Sequence, residues 1–260
     1  MDPGTLAGIG AAFAAIFVSM IMEGGNPASI LLPPALLLVF LGTMGVAMAG
    51  NLMKDFTGAL ASVKTAFLAA PTSDEDTIAT VVSFADKARR EGLLALEEAA
   101  RSVDDPFLKK GIELAVDGTD PDELREILEA ELQSKKQADK VHAKVFADMG
   151  AYGPTLGIIG TVLGLIHVLE NLSDPGKLGH LIAGAFVATL WGVLSANLFW
   201  MPIGKKLARV TELEAHHMEL ILEGVISIQA GANPRIVEQK LLSFLDPKER
   251  AAFEPDDKAA

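Results

Sequence analysis

Residues 150–164 read Gly-Ala-Tyr-Gly-Pro-Thr-Leu-Gly-Ile-Ile-Gly-Thr-Val-Leu-Gly, a largely apolar run with glycines at helical spacing. Glycines 153, 157, 160 and 164 are 4, 3 and 4 residues apart, so they share one helical face. A later apolar run has small residues at positions 184, 188, 192 and 196. Such faces let helices approach closely in lipid. The pattern predicts close helix packing, either within one subunit or against a neighbouring or partner helix.

Four stretches of the chain are long and apolar enough to cross a bilayer. Each approaches the ~20 residues that span ~30 Å of hydrocarbon, and none has a charged residue in its middle. The four stretches are Leu6–Met22, Ala28–Ala49, Tyr152–Leu169 and Leu181–Pro202. The sequence therefore predicts an all-α, polytopic membrane protein with four transmembrane helices. We expect two long helices, the third and fourth, to extend into a helical cytoplasmic domain.

The charged block between the second and third stretches reads as a series of helices. We expect the second transmembrane helix to continue through Phe67, and a later helix to start at Thr72–Asp76. Asp120-Pro121-Asp122-Glu123 combines a capping residue, a proline at the first helical position and acids in the first turn. No breaker follows until Gly150, which predicts one helix of about 45 residues that merges with the third transmembrane stretch.

The predicted organisation has four segments. Residues 1–49 contain the first two transmembrane helices, and residues 50–149 form the cytoplasmic helical domain. Residues 150–203 contain the other two transmembrane helices, and residues 204–260 form a cytoplasmic helix with a C-terminal tail. We expect the charged tail, Pro247–Ala260, to be disordered.

The placement of basic residues predicts the orientation in the membrane. Of 22 Lys and Arg residues, only Lys177 lies between two stretches on the predicted outer side. The other 21 lie in residues 50–149 or after Pro202. Because cytoplasmic segments carry the excess of Lys and Arg, we expect both termini in the cytoplasm.

The composition also excludes several classes of function. The apolar stretches contain no carboxylate, so the chain cannot carry protons along buried acids of its own. If it handles ions, a partner must supply the titrating group. There is no cysteine, which excludes disulfides and thiolate metal sites. A net charge of −12 argues against nucleic acid as a partner. No nucleotide loop, catalytic triad or paired acids appear, so we do not expect an enzyme.

Four polar or conformationally special residues in the membrane stretches are candidates for function. Thr161 and Thr189 lie well inside the third and fourth stretches. Most buried threonines bond to a carbonyl one turn back; the alternative is that their hydroxyls face a wet path and coordinate a cation or order water. Pro154 shares a helical face with Thr161 and frees a backbone carbonyl near the inner boundary. The structural alternative for Pro154 and Pro202 is a harmless kink.

Two charged features of the cytoplasmic segments allow a structural or a functional interpretation. Arg89 and Glu97 are part of a charge run that flanks the apolar residues Leu93–Leu96. Such a run is usually a solvated helix face, but it could steer a protein partner. We expect His216-His217 on an exposed helix; adjacent residues point to different faces, so no metal site is expected.

The order and spacing of these features resemble the MotA-type flagellar stator subunits of the MotA/TolQ/ExbB proton channel family. Two plus two membrane stretches flank a large cytoplasmic segment, in which Arg89–Glu97 reads Arg-Arg-Glu-Gly-Leu-Leu-Ala-Leu-Glu. The run Gly-Pro-Thr-Leu-Gly-Ile-Ile-Gly-Thr starts at Gly153, and Ala188-Thr189-Leu190-Trp191-Gly192 is followed by Ala196-Asn197 and Pro202. The resemblance covers nearly the whole chain.

The resemblance implies a stator subunit in the bacterial inner membrane. It implies a homo-oligomeric ring, expected to be pentameric, around a pair of single-span MotB-type subunits that carry the ion-binding aspartate. Ion passage turns the ring, and the cytoplasmic segment engages the rotor protein FliG. The matching positions are Arg89 and Glu97 for the rotor-facing charges, Pro154 and Pro202 for the coupling prolines, and Thr161 and Thr189 for the ion path.

The transported ion is expected to be a proton, with sodium as the alternative, and no bound cofactor is expected. Threonine at both ion-path positions resembles sodium-type relatives, whereas His167–Leu172 resembles proton-type stators of Gram-positive bacteria. One rival function is an ExbB- or TolQ-like energiser of another envelope machine, although that class has three spans and a loop after the first. A passive membrane scaffold is the rival from a different class.

Overall fold

The computed structural model describes residues 4–68 and 73–253, and within them the chain is helical without a strand. The all-α prediction is therefore confirmed. The helices are α1 (Gly4–Met22), α2 (Pro33–Gly50), α3 (Met53–Leu68), α4 (Asp74–Glu91), α5 (Leu96–Arg101), α6 (Pro106–Val116), α7 (Pro121–Glu170), α8 (Pro175–Gln229), α9 (Pro234–Leu242) and α10 (Pro247–Phe253). Short 3-10 turns occupy Pro27–Ile30 and Leu93–Ala95.

Helices α1, α2, α7 and α8 are long and apolar enough to cross a membrane, which confirms the four predicted transmembrane helices. The long α7 has 50 residues, close to its predicted length, and α8 has 55. Both α2 and α8 include a π-helical turn, at Leu37–Leu41 and Ala196–Trp200. In α8 the turn is followed by Pro202, which lacks an N–H and therefore removes one bond of the regular helical ladder. In α2 the prolines are the first two helical residues, where an N–H would have no helical partner, so they do not account for the turn there.

The second transmembrane helix differs from the prediction at both ends. It begins at Pro33 rather than Ala28, because Leu32 is extended (φ −94°, ψ 114°), as expected of a residue before proline. It ends at Gly50, because Asn51 is extended (φ −127°, ψ 162°) and donates from its side chain to the carbonyl of Ala47 at 2.8 Å. The expected continuous helix through Phe67 is therefore wrong, since α3 is separate.

The chain forms two compact units, one within Met1–Ala70 and Ala138–Thr211, the other within Pro71–Gln137 and Glu212–Ala260. The two units are defined by contacts between residues, and such contacts do not show where the bilayer lies. The four-segment division by sequence therefore stays a prediction.

The first unit contains α1, α2, α3 and the apolar parts of α7 and α8. Aromatic rings link its helices: Phe13 lies 5.4 Å from Phe199, and Phe40 lies 5.9 Å from Trp191 between ring centroids. The indole N–H of Trp191 donates to the carbonyl of Ile30 at 2.6 Å, which fixes the turn before α2 against α8. Within the described residues this unit is held by apolar and aromatic packing around a few such bonds.

The second unit has its own apolar core, formed by α4 to α6, the start of α7, the end of α8 and α9. Its fully buried members include Val81, Leu96, Ile112, Leu128 and Leu220. The helix starts follow the local sequence signals, because the side chains of Ser73, Asp105 and Asn233 accept hydrogen bonds from backbone N–H groups in the next turn.

The C-terminal segment is more ordered than predicted. Helix α10 occupies Pro247–Phe253, in the region expected to be disordered. Two parts of the predictions lie outside the described residues. They are residues 254–260 of the tail and Thr72 at the predicted start of α4.

Candidate functional site

The small-residue faces of α7 and α8 pack directly against each other, as the sequence predicted. A methyl group added to Gly157 would lie 2.9 Å from the carbonyl oxygen of Ala188 and 3.1 Å from the Cα of Thr189. A methyl on Gly192 would lie 2.7 Å from the carbonyl oxygen of Gly153. These neighbours are backbone atoms, so the two helices contact each other where they lack side chains.

Thr161 and Thr189 meet at this contact, on opposite helices. Their hydroxyl oxygens lie within hydrogen-bonding distance of each other. The Thr161 hydroxyl also reaches the carbonyl of Gly157, one turn back on its own helix, at 3.2 Å, and that of Ala185 on α8 at 3.0 Å. Thr189 reaches the Gly157 carbonyl at 3.3 Å. Each hydroxyl therefore reaches across to the opposite helix, where it contacts the carbonyl that lies one turn before the other threonine.

The arrangement leaves acceptor capacity at both hydroxyls. Each hydroxyl has one hydrogen and two lone pairs. The bond between Thr161 and Thr189 uses one hydrogen and one lone pair, so each oxygen keeps at least one lone pair beyond it. Both side chains are partly exposed. The pair can thus serve the packing of α7 on α8 and still accept from water or contact a cation.

The two candidate prolines occupy different settings on these helices. Pro154 lies inside α7, which continues through it, and leaves the carbonyl of Gly150 without its usual helical donor. Pro202 follows the π-helical turn of α8 and is half-buried. The two helices are close at this level, because a methyl on Gly150 would lie 2.5 Å from Cγ of Met201.

The candidate rotor-facing charges lie in the second unit, on either side of a helix break. Arg89 is in the last turn of α4 and Glu97 is in the first turn of α5, both exposed. Gly92 makes the break with φ +86°, a conformation that favours glycine. Of the apolar residues between the charges, Leu96 is buried and Leu94 is 74% exposed. Leu94 is thus the apolar side chain presented between the two charges.

The two adjacent histidines differ from the expectation of an exposed pair. His217 is buried and lies 2.5 Å from Asp74 and 3.5 Å from Asp105. His216 is half-buried, with its Nε2 2.9 Å from the carbonyl oxygen of Phe244. The acidic partners of His217 are distant from it in sequence, so no local pattern indicated them.

Comparison with known proteins identifies the family. A model of the MotA/TolQ/ExbB proton channel family matches residues 99–220. Motility protein A of Bacillus subtilis (strain 168) is 36% identical over 254 residues, which cover 97% of this chain and 94% of that protein. The chain belongs to the motility protein A family. It is therefore a flagellar stator subunit and a multi-pass membrane protein.

Solved structures of the motility protein A family have the same fold. The structure of C. jejuni MotAB includes a chain with a TM-score of 0.91 and 34% identity, covering 95% of this chain and 97% of that one. The flagellar MotAB stator complex of Bacillus subtilis gives a TM-score of 0.89 and 36% identity, covering 96% and 99%. A match over nearly the full length favours the stator over the ExbB- or TolQ-like energiser.

Proposed function

We propose that this chain assembles with a single-span MotB-type partner into a proton path that produces torque on the rotor. The two similar solved structures are MotAB structures, which supports a partner of this kind. The membrane stretches of this chain contain no carboxylate. The titrating group of the path is therefore an aspartate of the partner, and this chain supplies the surface along which the ion reaches it.

The observation that carries the proposal is the meeting of Thr161 and Thr189 where α7 and α8 make backbone contact. Their remaining lone pairs can order water beside the partner's carboxylate, which suits transfer of a proton through water. Sodium is the second candidate ion, because two hydroxyl oxygens and the carbonyls of Gly157 and Ala185 bring oxygen ligands together. Neither ion requires a resident cofactor or an enzymatic step.

The remaining elements of the proposal concern the assembly. Both termini lie in the cytoplasm, subunits form a pentameric ring in the inner membrane, and the second unit contacts the rotor protein FliG. Arg89 and Glu97 offer opposite charges beside the exposed Leu94, which supports a contact that is steered by charge and completed by apolar burial. Pro154 and Pro202 each remove a backbone hydrogen bond, from α7 and α8 respectively. The two helices can therefore bend more easily at these points when an ion passes.

The experiment is an ion-flux assay with three samples in vesicles loaded with a pH-sensitive dye. This chain alone should not conduct, the chain with its partner should conduct, and the complex with the partner's membrane aspartate changed to asparagine should not. Replacing sodium with potassium should leave proton flux unchanged. Proton flux through this chain alone would contradict the proposal. Uptake of sodium by the complex without a change in pH, followed with a sodium-sensitive dye, would select the sodium alternative.

A further inference from the structure

A second site lies in the first unit, between the start of α1 and the segment of α8 that follows its π-helical turn. Here the helices line a cavity that is largely open to the outside, with a volume of about 470 Å³, within the roughly 300–1,000 Å³ of ligand pockets. The rings of Phe13 and Phe199 join the two helices at a centroid distance of 5.4 Å. Along α1 the cavity lies on the N-terminal side of this contact. It is separate from the threonine pair.

The wall formed by α1 is apolar and has room for a ligand. Thr5, Gly8, Ile9 and Ala12 face the cavity at helical spacing. A methyl group added to Gly8 would meet no atom of residues 4–68 or 73–253 within 4 Å, so the space beside this residue is open within the described part of the chain. A lipid chain or glycerol backbone can therefore lie along this wall.

The wall formed by α8 is basic. Lys205, Lys206 and Arg209 line the cavity, next to Asn197 and Pro202. The amide nitrogen of Asn197 donates to the carbonyl of Val193 at 2.9 Å. No acidic side chain of the described residues lines this cavity. A ligand that fits both walls combines a negative charge with an apolar body.

We propose that this cavity binds the phosphate-bearing headgroup of an anionic phospholipid of the inner leaflet. The lipid phosphate pairs with the Lys205, Lys206 and Arg209 side chains, while the glycerol and upper acyl carbons lie on the Gly8 and Ala12 wall. The leaflet rests on the proposed function, since cytoplasmic termini place these residues at the inner surface. Basic clusters at that surface attract anionic lipids, and the cavity adds a defined position.

The cavity also includes the candidate coupling proline of α8. Pro202 lines the cavity, so a bound lipid contacts the same segment of α8 that contains the candidate coupling proline. The lipid would then be a structural component at the inner end of α8, and its loss would change the environment of Pro202 without altering the threonine pair.

The test is native mass spectrometry of the complex, purified with its partner and titrated with phosphatidylglycerol, phosphatidylcholine or inorganic phosphate. The triple variant Lys205→Gln/Lys206→Gln/Arg209→Gln should need at least about tenfold more phosphatidylglycerol for half-saturation, since each cation near an anionic surface contributes roughly fivefold. The control is Lys54→Gln/Lys64→Gln/Lys140→Gln, which removes the same charge from exposed positions elsewhere in the unit. It should stay within about twofold of the unmodified complex.

A second pair of variants tests the cavity without changing charge. Gly8→Leu fills the open space, and it should also weaken retention of phosphatidylglycerol about tenfold. Gly10→Leu is the control, because a methyl added there also meets no described residue within 4 Å but Gly10 does not line the cavity. If the charge variant alone has an effect, the attraction is a general surface effect and the cavity proposal is wrong.

Three other results would overturn the proposal. These are equal retention of phosphatidylcholine, equal loss in Gly10→Leu and Gly8→Leu, and full competition by inorganic phosphate, which would make the site one for a free anion. Lipid retention is measured without ion flux, so a failed flux assay leaves this test intact. An inverted topology would move the site to the other leaflet and would be detected by reporter fusions, independently of lipid retention.

Discussion

His217 places its Nδ1 2.5 Å from Oδ1 of Asp74, a residue 143 positions away in the chain. Its other ring nitrogen lies 3.5 Å from Oδ2 of Asp105. Asp74 is the first residue of α4, and Asp105 caps α6. One buried imidazole on α8 therefore joins the starts of two other helices in the second unit. Burial by itself lowers the pKa of His217, but the hydrogen bonds and charges of Asp105 and Asp74 outweigh it and raise this pKa to about 9.

The first prediction is that the second unit loses stability as the pH rises towards 9. The pKa of His217 is raised from 6.5 to about 9 on folding, so its contribution is complete below about pH 6.5 and is lost as the pH passes through 9. The shift corresponds to about 3 kcal/mol as an order of magnitude. Thermal unfolding followed between pH 6 and pH 10 should show this decline, and His217→Gln should remove most of it. A decline of the same size in His217→Gln would contradict the assignment.

The matched control for this prediction uses two adjacent aspartates. Asp105→Asn keeps a good capping residue but removes the charge that faces His217, and should destabilise the unit by about 1–3 kcal/mol at pH 7. Asp104→Asn changes an exposed neighbour and should stay within about 0.5 kcal/mol of the unmodified protein. Equal effects would mean that the charge on Asp105 does not matter.

The second prediction concerns the threonine pair. Thr189→Val keeps the shape but removes the hydroxyl that contacts Thr161 and the Gly157 carbonyl, so ion flux and swimming speed should fall together. Thr189→Ser restores the hydroxyl and should retain most of both. Protein levels should change little, because a side-chain hydrogen bond in a membrane contributes about 0.6 kcal/mol on average. Full motility in Thr189→Val would show that the Thr189 hydroxyl only makes local hydrogen bonds and has no role in the ion path.

The third prediction separates proton from sodium use. Thr161→Ala removes the hydroxyl that bridges to the Ala185 carbonyl on α8. If sodium passes, this change should shift the sodium concentration at which swimming speed is half-maximal. If protons pass, as proposed, swimming speed should stay independent of sodium in both proteins. The readout is swimming speed at constant ionic strength with sodium replaced by potassium.

The fourth prediction concerns the rotor-facing charges. Arg89→Glu or Glu97→Lys should reduce torque while leaving membrane insertion intact, because exposed ion pairs such as Glu97–Arg101, at 3.0 Å, contribute about 0–1 kcal/mol. Glu98→Lys changes the neighbouring exposed carboxylate and is the control. Compensating charge changes on FliG should restore part of the torque. A torque defect explained entirely by lower protein levels would refute the role in rotor contact.

The fifth prediction concerns topology. A reporter that is active only outside the cytoplasm should be silent when fused after Lys109, in α6, and active when fused at Asp174, between α7 and α8. The physical reason is the near absence of Lys and Arg from the segment that contains Asp174. Activity at Lys109 would reverse the orientation and with it the leaflet assigned to the lipid site.

The parts of the fold that could be predicted are those with local causes. The starts of α6 and α7 at Pro106 and Pro121 follow from a preceding aspartate and a proline at the first position. The apolar stretches identify the transmembrane helices because length and hydropathy act over one segment. The break at Asn51 could not be predicted, because Gly50-Asn51 is a weak signal between two helical patterns.

The parts that could not be predicted depend on contacts between distant segments. The burial of His217 requires Asp74 and Asp105, which no spacing rule connects with it. On the same helix, Leu213 is 43% exposed and Thr211 is buried, the reverse of what the hydropathy of the two side chains favours. In the candidate site, spacing predicted that the small faces pack, and helical geometry predicted the bond from Thr161 to the Gly157 carbonyl. The hydrogen bonds between α7 and α8 could not be predicted, because they depend on the relative register of the two helices.

The contact of Gly157 with Gly192 also constrains how the sequence can vary. Glycine is the smallest residue, so every substitution at either position adds atoms, and at Gly157 the nearest atoms belong to the backbone of α8. At Gly45 of α2, an added methyl meets no atom of the described residues of this chain within 4 Å. Within this chain, a larger side chain at Gly45 meets no neighbouring atom, whereas any larger side chain at Gly157 crowds the backbone of α8. In a library of random variants, Gly45 should therefore accept many more substitutions than Gly157.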